Sequence, residues 1–303
     1  MLSPKPWKLE AVVRLLLSVF VCILAGSLLV QALQYSGTVK GKVLFYSVVA
    51  TSLGFLAASL VQIRKRWELE NLLRRMTILL VCFYAGLLLA GWAGKMAGPS
   101  EPSTGQMLIS TLSFQGAALV LVWLFLREQQ MSWGDAFGFR NSWLVAVLTG
   151  IILACLFLPL GRELQRGSAE LLLRLPRFHL KPEDQQAVQV LQTADTWRDR
   201  LLLGLVVIVL VPPAEEMLFR GILYPWVKHL GYPRLALWGT ALAFGAVHLN
   251  LISFLPLAVL GAALTVLYER TGNLLAPITA HAMFNAMNFA WLYLVEWKLN
   301  ERV

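Results

Sequence analysis

The chain has 303 residues, of which 58% are hydrophobic and 14% charged. Soluble domains carry about 25% charged residues, so a chain this apolar lacks the polar surface that water requires, and its solvent is the lipid bilayer. The formal charge of +9 does not mark a nucleic-acid binder, because the basic residues sit between apolar blocks instead of forming one stripe.

A membrane-spanning helix takes about 20 apolar residues. Blocks near that length are read at 11–33, 43–63, 76–97, 106–126, 143–160, 200–227, 234–250, 253–268 and 275–297. The expected fold is all-α, a polytopic transmembrane bundle of about eight to nine helices, some too short to cross. The first block follows Lys5 and Lys8 and exceeds the apolar core of a signal peptide, so it reads as an uncleaved membrane helix. Lys5, Lys8 and Arg14, then Arg64, Lys65, Arg66, Arg74 and Arg75, then Arg127 and Arg140 occupy alternate loops, whereas the intervening loops hold Lys40, Lys42 and Lys95. By the positive-inside rule the N-terminus faces the cytoplasm, in a plasma (inner) membrane. Cys22, Cys82 and Cys155 lie inside apolar runs without paired spacing, which predicts neither a disulfide framework nor a cysteine zinc site.

Residues 161–199 are polar and cannot span. Within them Lys181-Pro182-Glu183-Asp184 suits a first helical turn, which predicts a short surface helix over 182–193. Three regions follow: 1–130, membrane helices without an assigned role; 131–198, a fifth membrane helix plus the polar stretch; and 199–298, whose helices contain ionisable residues. No internal repeat or low-complexity tract is evident.

Ionisable residues at membrane depth are costly and mark function by default. The sixth block reads Val-Pro-Pro-Ala-Glu-Glu-Met-Leu-Phe-Arg-Gly over 211–221. Glu216 and Arg220 stand four apart on one helical face with the acid first, the favourable order for an ion pair, while Glu215 lies about 100° around the axis. Pro212 and Pro213 open or kink the helix and free backbone groups near the carboxylates. The next block carries Phe244 and His248, and the last carries His281, Asn285 and, three residues on, Asn288. His179 and His229 fall in predicted loops.

If the sixth and seventh helices form a hairpin turning at Gly231-Tyr232-Pro233, Glu215 and His248 both lie roughly 22–24 Å from the turn and are level. The same arithmetic leaves His281 only about 10 Å past the loop at Thr271-Gly272-Asn273, so closing the site requires tilt or a non-spanning eighth helix, for which Pro256 and Gly261 give room. A buried carboxylate with a histidine beside it can activate water, and a second histidine with an asparagine can stabilise an oxyanion. No serine or cysteine nucleophile accompanies them, which favours direct attack of water on an acyl group.

Glu215-Glu216-x-x-x-Arg220, Phe244-x-x-x-His248 and His281-x-x-x-Asn285, in that order on successive helices, resemble the motifs of the CPBP intramembrane proteases. These are the CAAX prenyl endopeptidases and their bacteriocin-processing or immunity relatives, also called the Abi family. The resemblance covers about 199–297, and 1–131 resembles nothing nameable. It implies Glu215 as general base, His248 as its water-positioning partner, His281 with Asn285 as oxyanion stabilisers, and Glu216, Arg220, Phe244 and Asn288 as support. The family is described both as metalloproteases and as glutamate-dependent proteases without zinc. A Zn2+ ion would take Glu215, His248 and His281, yet the paired-histidine His-Glu-x-x-His motif is absent, which favours the metal-independent form. The implied partners are a membrane-associated peptide or protein substrate and the bilayer, with no nucleic acid. A non-catalytic immunity or partner-binding protein is the alternative, and a proton-coupled transporter a further one that the missing repeat disfavours.

Overall fold

A computed structural model describes residues 5, 7–35, 46, 49–54, 57, 104–174, 185–192, 194 and 196–300. The described residues form helices and no strands. Five helical runs among them are long and apolar enough to cross a membrane: Leu9–Val30, Thr104–Glu128, Trp143–Leu173, Trp197–His229 and Leu251–Thr271. The chain is an all-α polytopic membrane protein. The third expected span, 76–97, most of the second, 43–63, His179 and Cys82 lie outside the described residues.

The chain divides into two compact units, Pro6–Met131 and Ser132–Val303, the latter together with Met1–Lys5. In the first, α1 (Leu9–Tyr35) packs on a run composed of α2 (Thr104–Thr111), a π-helical stretch (Leu112–Gly116) and α3 (Ala117–Glu128). Arg14 is 0% exposed and forms ion pairs with Glu10 at 3.2 Å and Glu128 at 2.5 Å. It is a buried tie between α1 and α3, although its position in the sequence reads only as a topology signal.

The second unit begins with a short helix, α4 (Trp133–Phe137), capped by the Ser132 hydroxyl, which accepts from Asp135 N–H, and closed by Gly138 in the left-handed region. α5 (Trp143–Leu173) has 31 residues and is about 46 Å long, well beyond a hydrocarbon core of about 30 Å. The sequence reading ended this helix at 160. Hydropathy falls there but helicity persists, because the polar side chains are solvated and Glu163 bonds Arg166 at 2.7 Å one turn along. Next come α6 (Gln186–Gln192), inside the expected surface helix, and a continuous run of α7 (Trp197–Leu205), a π stretch (Val206–Leu210), α8 (Val211–Glu216), a second π stretch (Met217–Leu223) and α9 (Tyr224–His229). His229, expected in a loop, closes α9.

Each of the two π stretches in this run ends just before proline, at Pro212 and Pro213 or at Pro225. A proline offers no N–H and crowds the carbonyl one turn back, and a wider turn relieves that conflict without ending the helix. α10 (Pro233–Ala246), α11 (Leu251–Thr271) and α12 (Leu275–Asn300) complete the unit. α10 has 14 residues, about 21 Å, and is too short to cross. α11 packs on α10 and α5, and α12 lies along α5. Gly150 and Gly245 permit close approaches between helices: a Cβ on Gly150 would fall 2.5 Å from Ala276 O, and one on Gly245 2.7 Å from Phe254 O.

Candidate active site

The two halves of the Glu-Glu pair face different partners. Glu216 and Arg220 are both fully buried and pair at 2.9 Å, the contact expected from their four-residue spacing. Arg220 Nη2 also donates to Gly261 O at 3.0 Å, and the guanidinium lies 4.3 Å from the centroid of the Phe244 ring. Desolvating an arginine is affordable only when it is paired and hydrogen-bonded, and here carboxylate, carbonyl and aromatic face supply that. Sequence reading treated Gly261 as a point of helix distortion. Its use as an acceptor is visible only once α11 is packed, and a small residue mid-helix is the one signal it leaves.

His281 Nδ1 lies 2.9 Å from the same Glu216 Oε1. A carboxylate accepts, so Nδ1 carries the proton and Nε2 is the second ring position. The expectation that His281 lies too shallow is thus corrected, and not through a short eighth helix, since α11 is one continuous helix of 21 residues with Pro256 inside it. The turn before α12 is itself buried: Asn273 and Leu274 are 0% exposed, whereas Leu230 and Tyr232 in the neighbouring turn are 53% and 60% exposed. Leu274 packs at Gly221, 3.5 Å from where a Cβ would stand. α12 therefore starts level with Gly221, and two turns carry His281 to the level of Glu216.

Glu215 faces the other way. Its Oε2 lies 4.0 Å from His248 Nε2, and the His248 side chain is the more exposed of the two. His248 was read within a membrane helix. It sits instead in the turn beyond α10, where Nδ1 donates to Phe244 O at 2.7 Å, serving a C-terminal carbonyl and aiming Nε2 at Glu215. The Phe244 ring is the common wall, edge-on to His248 at 5.1 Å and to His281 at 5.6 Å between centroids.

Asn285 has a partner that spacing does not reveal. In the first π stretch Val211 N–H donates to Val206 O, so the next donor in that register would be Pro212, which has none. The Val207 carbonyl accepts instead from Asn285 Nδ2 at 2.9 Å. One amide hydrogen of Asn285 thus fills a vacancy that the prolines create. Asn288 turns to its own helix, donating to Phe284 O at 2.9 Å.

Glu215, Glu216, Arg220, Phe244, His248 and His281 are brought together; Asn285 is adjacent through Val207. The zinc set of Glu215, His248 and His281 does not fit this arrangement. Among the described residues no three His, Cys, Asp or Glu side chains are grouped to hold a metal ion.

Comparison with known proteins agrees with the motifs. Residues 197–287 match the family model described as type II CAAX prenyl endopeptidase Rce1-like. A curated relative, Uncharacterized protein YpbD of Bacillus subtilis (strain 168), is 39% identical over 83 residues, which is 26% of this chain and 40% of that protein. The chain thus spans well under half the length of the curated relative it matches. No solved structure matches. The matched segment holds every motif residue from Glu215 to Asn285, and it is this part of the chain that is similar to the Rce1-like family, in agreement with the motifs.

Proposed function

We propose that the chain is an intramembrane endopeptidase that hydrolyses a peptide bond of a membrane-associated substrate with water activated by Glu215. The observation that carries this reading is the Glu215–His248 pair. A gap of 4.0 Å is too long for a direct hydrogen bond and short enough for one water to bond both groups. The Nδ1–H bond to Phe244 O leaves His248 Nε2 as an acceptor, so a water between the two can give one hydrogen to each.

In this mechanism Glu215 takes a proton from the water as its oxygen bonds to the scissile carbonyl carbon. The C–N bond then breaks, and the proton held by Glu215 passes to the departing nitrogen, which leaves as an amine opposite a new carboxyl group. The oxyanion role suggested for His281 and Asn285 falls to the positions they still have: Nε2 of His281 and the second amide hydrogen of Asn285. Donation from Nε2 requires the doubly protonated ring, whose charge faces the Glu216 carboxylate. Glu216, Arg220 and Phe244 hold the histidines in place. No step passes through a metal. The basic loops support an N-terminus in the cytoplasm, and the polytopic fold supports a plasma (inner) membrane location.

The test is hydrolysis by the full chain in lipid nanodiscs, read by mass spectrometry, with prenylated CAAX-type peptides and unprenylated membrane peptides as separate arms. Cleavage of either set by the wild type, lost in Glu215→Gln and His248→Ala, supports the reading, and the arm that is cut assigns the substrate class. Equal cleavage by the wild type and folded Glu215→Gln protein would overturn it.

A further inference from the structure

The loop 132–141, outside the segment that matches the Rce1-like family, lies under the site and makes bonds that a mere connection between helices would not need. Phe137 O accepts Leu274 N–H at 2.9 Å, and Asn141 O accepts from Asn273 Nδ2. Gly138, at φ +73°, comes so close to the α11–α12 turn that a Cβ would stand 2.0 Å from Gly272 O. The buried Phe137 ring fills the place a Cβ on Gly221 would occupy, 2.5 Å away, one residue past Arg220. A single loop thus touches both the helix that carries Glu216 and Arg220 and the turn from which α12 rises to His281.

Seven residues of rigid helix separate Leu274 from His281, so any axial shift of the turn is carried to the imidazole almost undiminished. We propose that the 132–141 loop is a positioning element of the site, which sets the depth of His281 against Glu216 by clamping the buried 272–274 turn to the Gly221 level. Phe137 and Gly138 act through His281 and touch no reacting atom. The proposal rests on the reading of His281 as a site residue, and its first readout does not require hydrolysis.

That readout is the NMR spectrum of protein labelled with 15N-histidine in detergent micelles, where the chain has only four histidines to resolve. The Nδ1–H that His281 gives to Glu216 is a distinct resonance, assigned by its loss in His281→Asn. Gly138→Ala places a methyl against Gly272 O and forces the loop and turn apart. Asn273→Asp keeps the Oδ1 that accepts Leu275 N–H at the start of α12 but removes the donor to Asn141 O, so it releases the clamp without uncapping the helix. Both variants are expected to move or abolish the His281 resonance while circular dichroism keeps the wild-type helical content, with thermal unfolding lowered by the clash or the buried carboxylate. Turnover falls on the order of 100-fold with KM little changed, since a misplacement of about 1 Å costs that much. Gly231→Asn, in the neighbouring left-handed turn with nothing near its Cβ position, leaves both readouts unchanged. If Gly138→Ala does not fold, Asn273→Asp carries the test. An unmoved His281 resonance in folded variants overturns the proposal, whether or not turnover falls. A resonance that moves in a chain that cuts no peptide sustains the clamp while the hydrolytic reading fails separately.

Discussion

The two carboxylates at 215 and 216 are neighbours in sequence and opposites in environment. Glu216 is sealed, bonded to Arg220 and His281 behind the Phe244 ring, whereas Glu215 faces the more exposed His248 across a gap that one water can fill. A sealed carboxylate held by an arginine and a histidine serves structure. One set 4.0 Å from a histidine is placed, on the proposed reading, to share a water with it. On the proposed reading the Glu-Glu motif divides into a structural and a chemical residue by their rotation about the helix axis.

Three substitutions sharpen that division, in falling order of effect. Arg220→Met strands the Glu216 carboxylate in a sealed site, and loss of one partner of a buried pair costs about 3–5 kcal/mol, read as a lowered unfolding transition in detergent. A transition unchanged in that variant would show that Glu216 is not held by the pair. Asn285→Ala leaves the Val207 carbonyl without its donor in the proline-interrupted register, an expected loss of about 1–3 kcal/mol by the same measurement. Arg166→Ala removes an exposed pair with Glu163 on the protruding end of α5 and should change stability by under about 1 kcal/mol. If it matched Arg220→Met, burial would not be what separates these ion pairs.

Much of this was legible in the sequence, and the failures have physical causes. The Glu216–Arg220 pair follows from helical spacing, and the level placement of Glu215 and His248 from hairpin arithmetic. His281 was misplaced because arithmetic puts every turn at the surface, while Asn273 and Leu274 of this turn are buried against a loop more than 130 residues earlier in the chain. Asn285 could not be matched to Val207 O because that vacancy exists only in a π register, which hydropathy does not show. Arg14 looked like a topology charge and is a buried clamp, since its partner Glu128 closes a helix far along the sequence. α5 outran its apolar block because helicity and membrane depth are separate properties.

The central claim is that Glu215 and His248 flank the reacting water. An experimental structure of the protein in lipid, at a resolution that shows ordered water, tests it most directly. The expected result is a water within hydrogen-bond distance of both the Glu215 carboxylate and His248 Nε2, on the side of Phe244 away from Arg220. A His248 ring turned from Glu215, or a gap closed by another side chain or held by a metal ion, would contradict it.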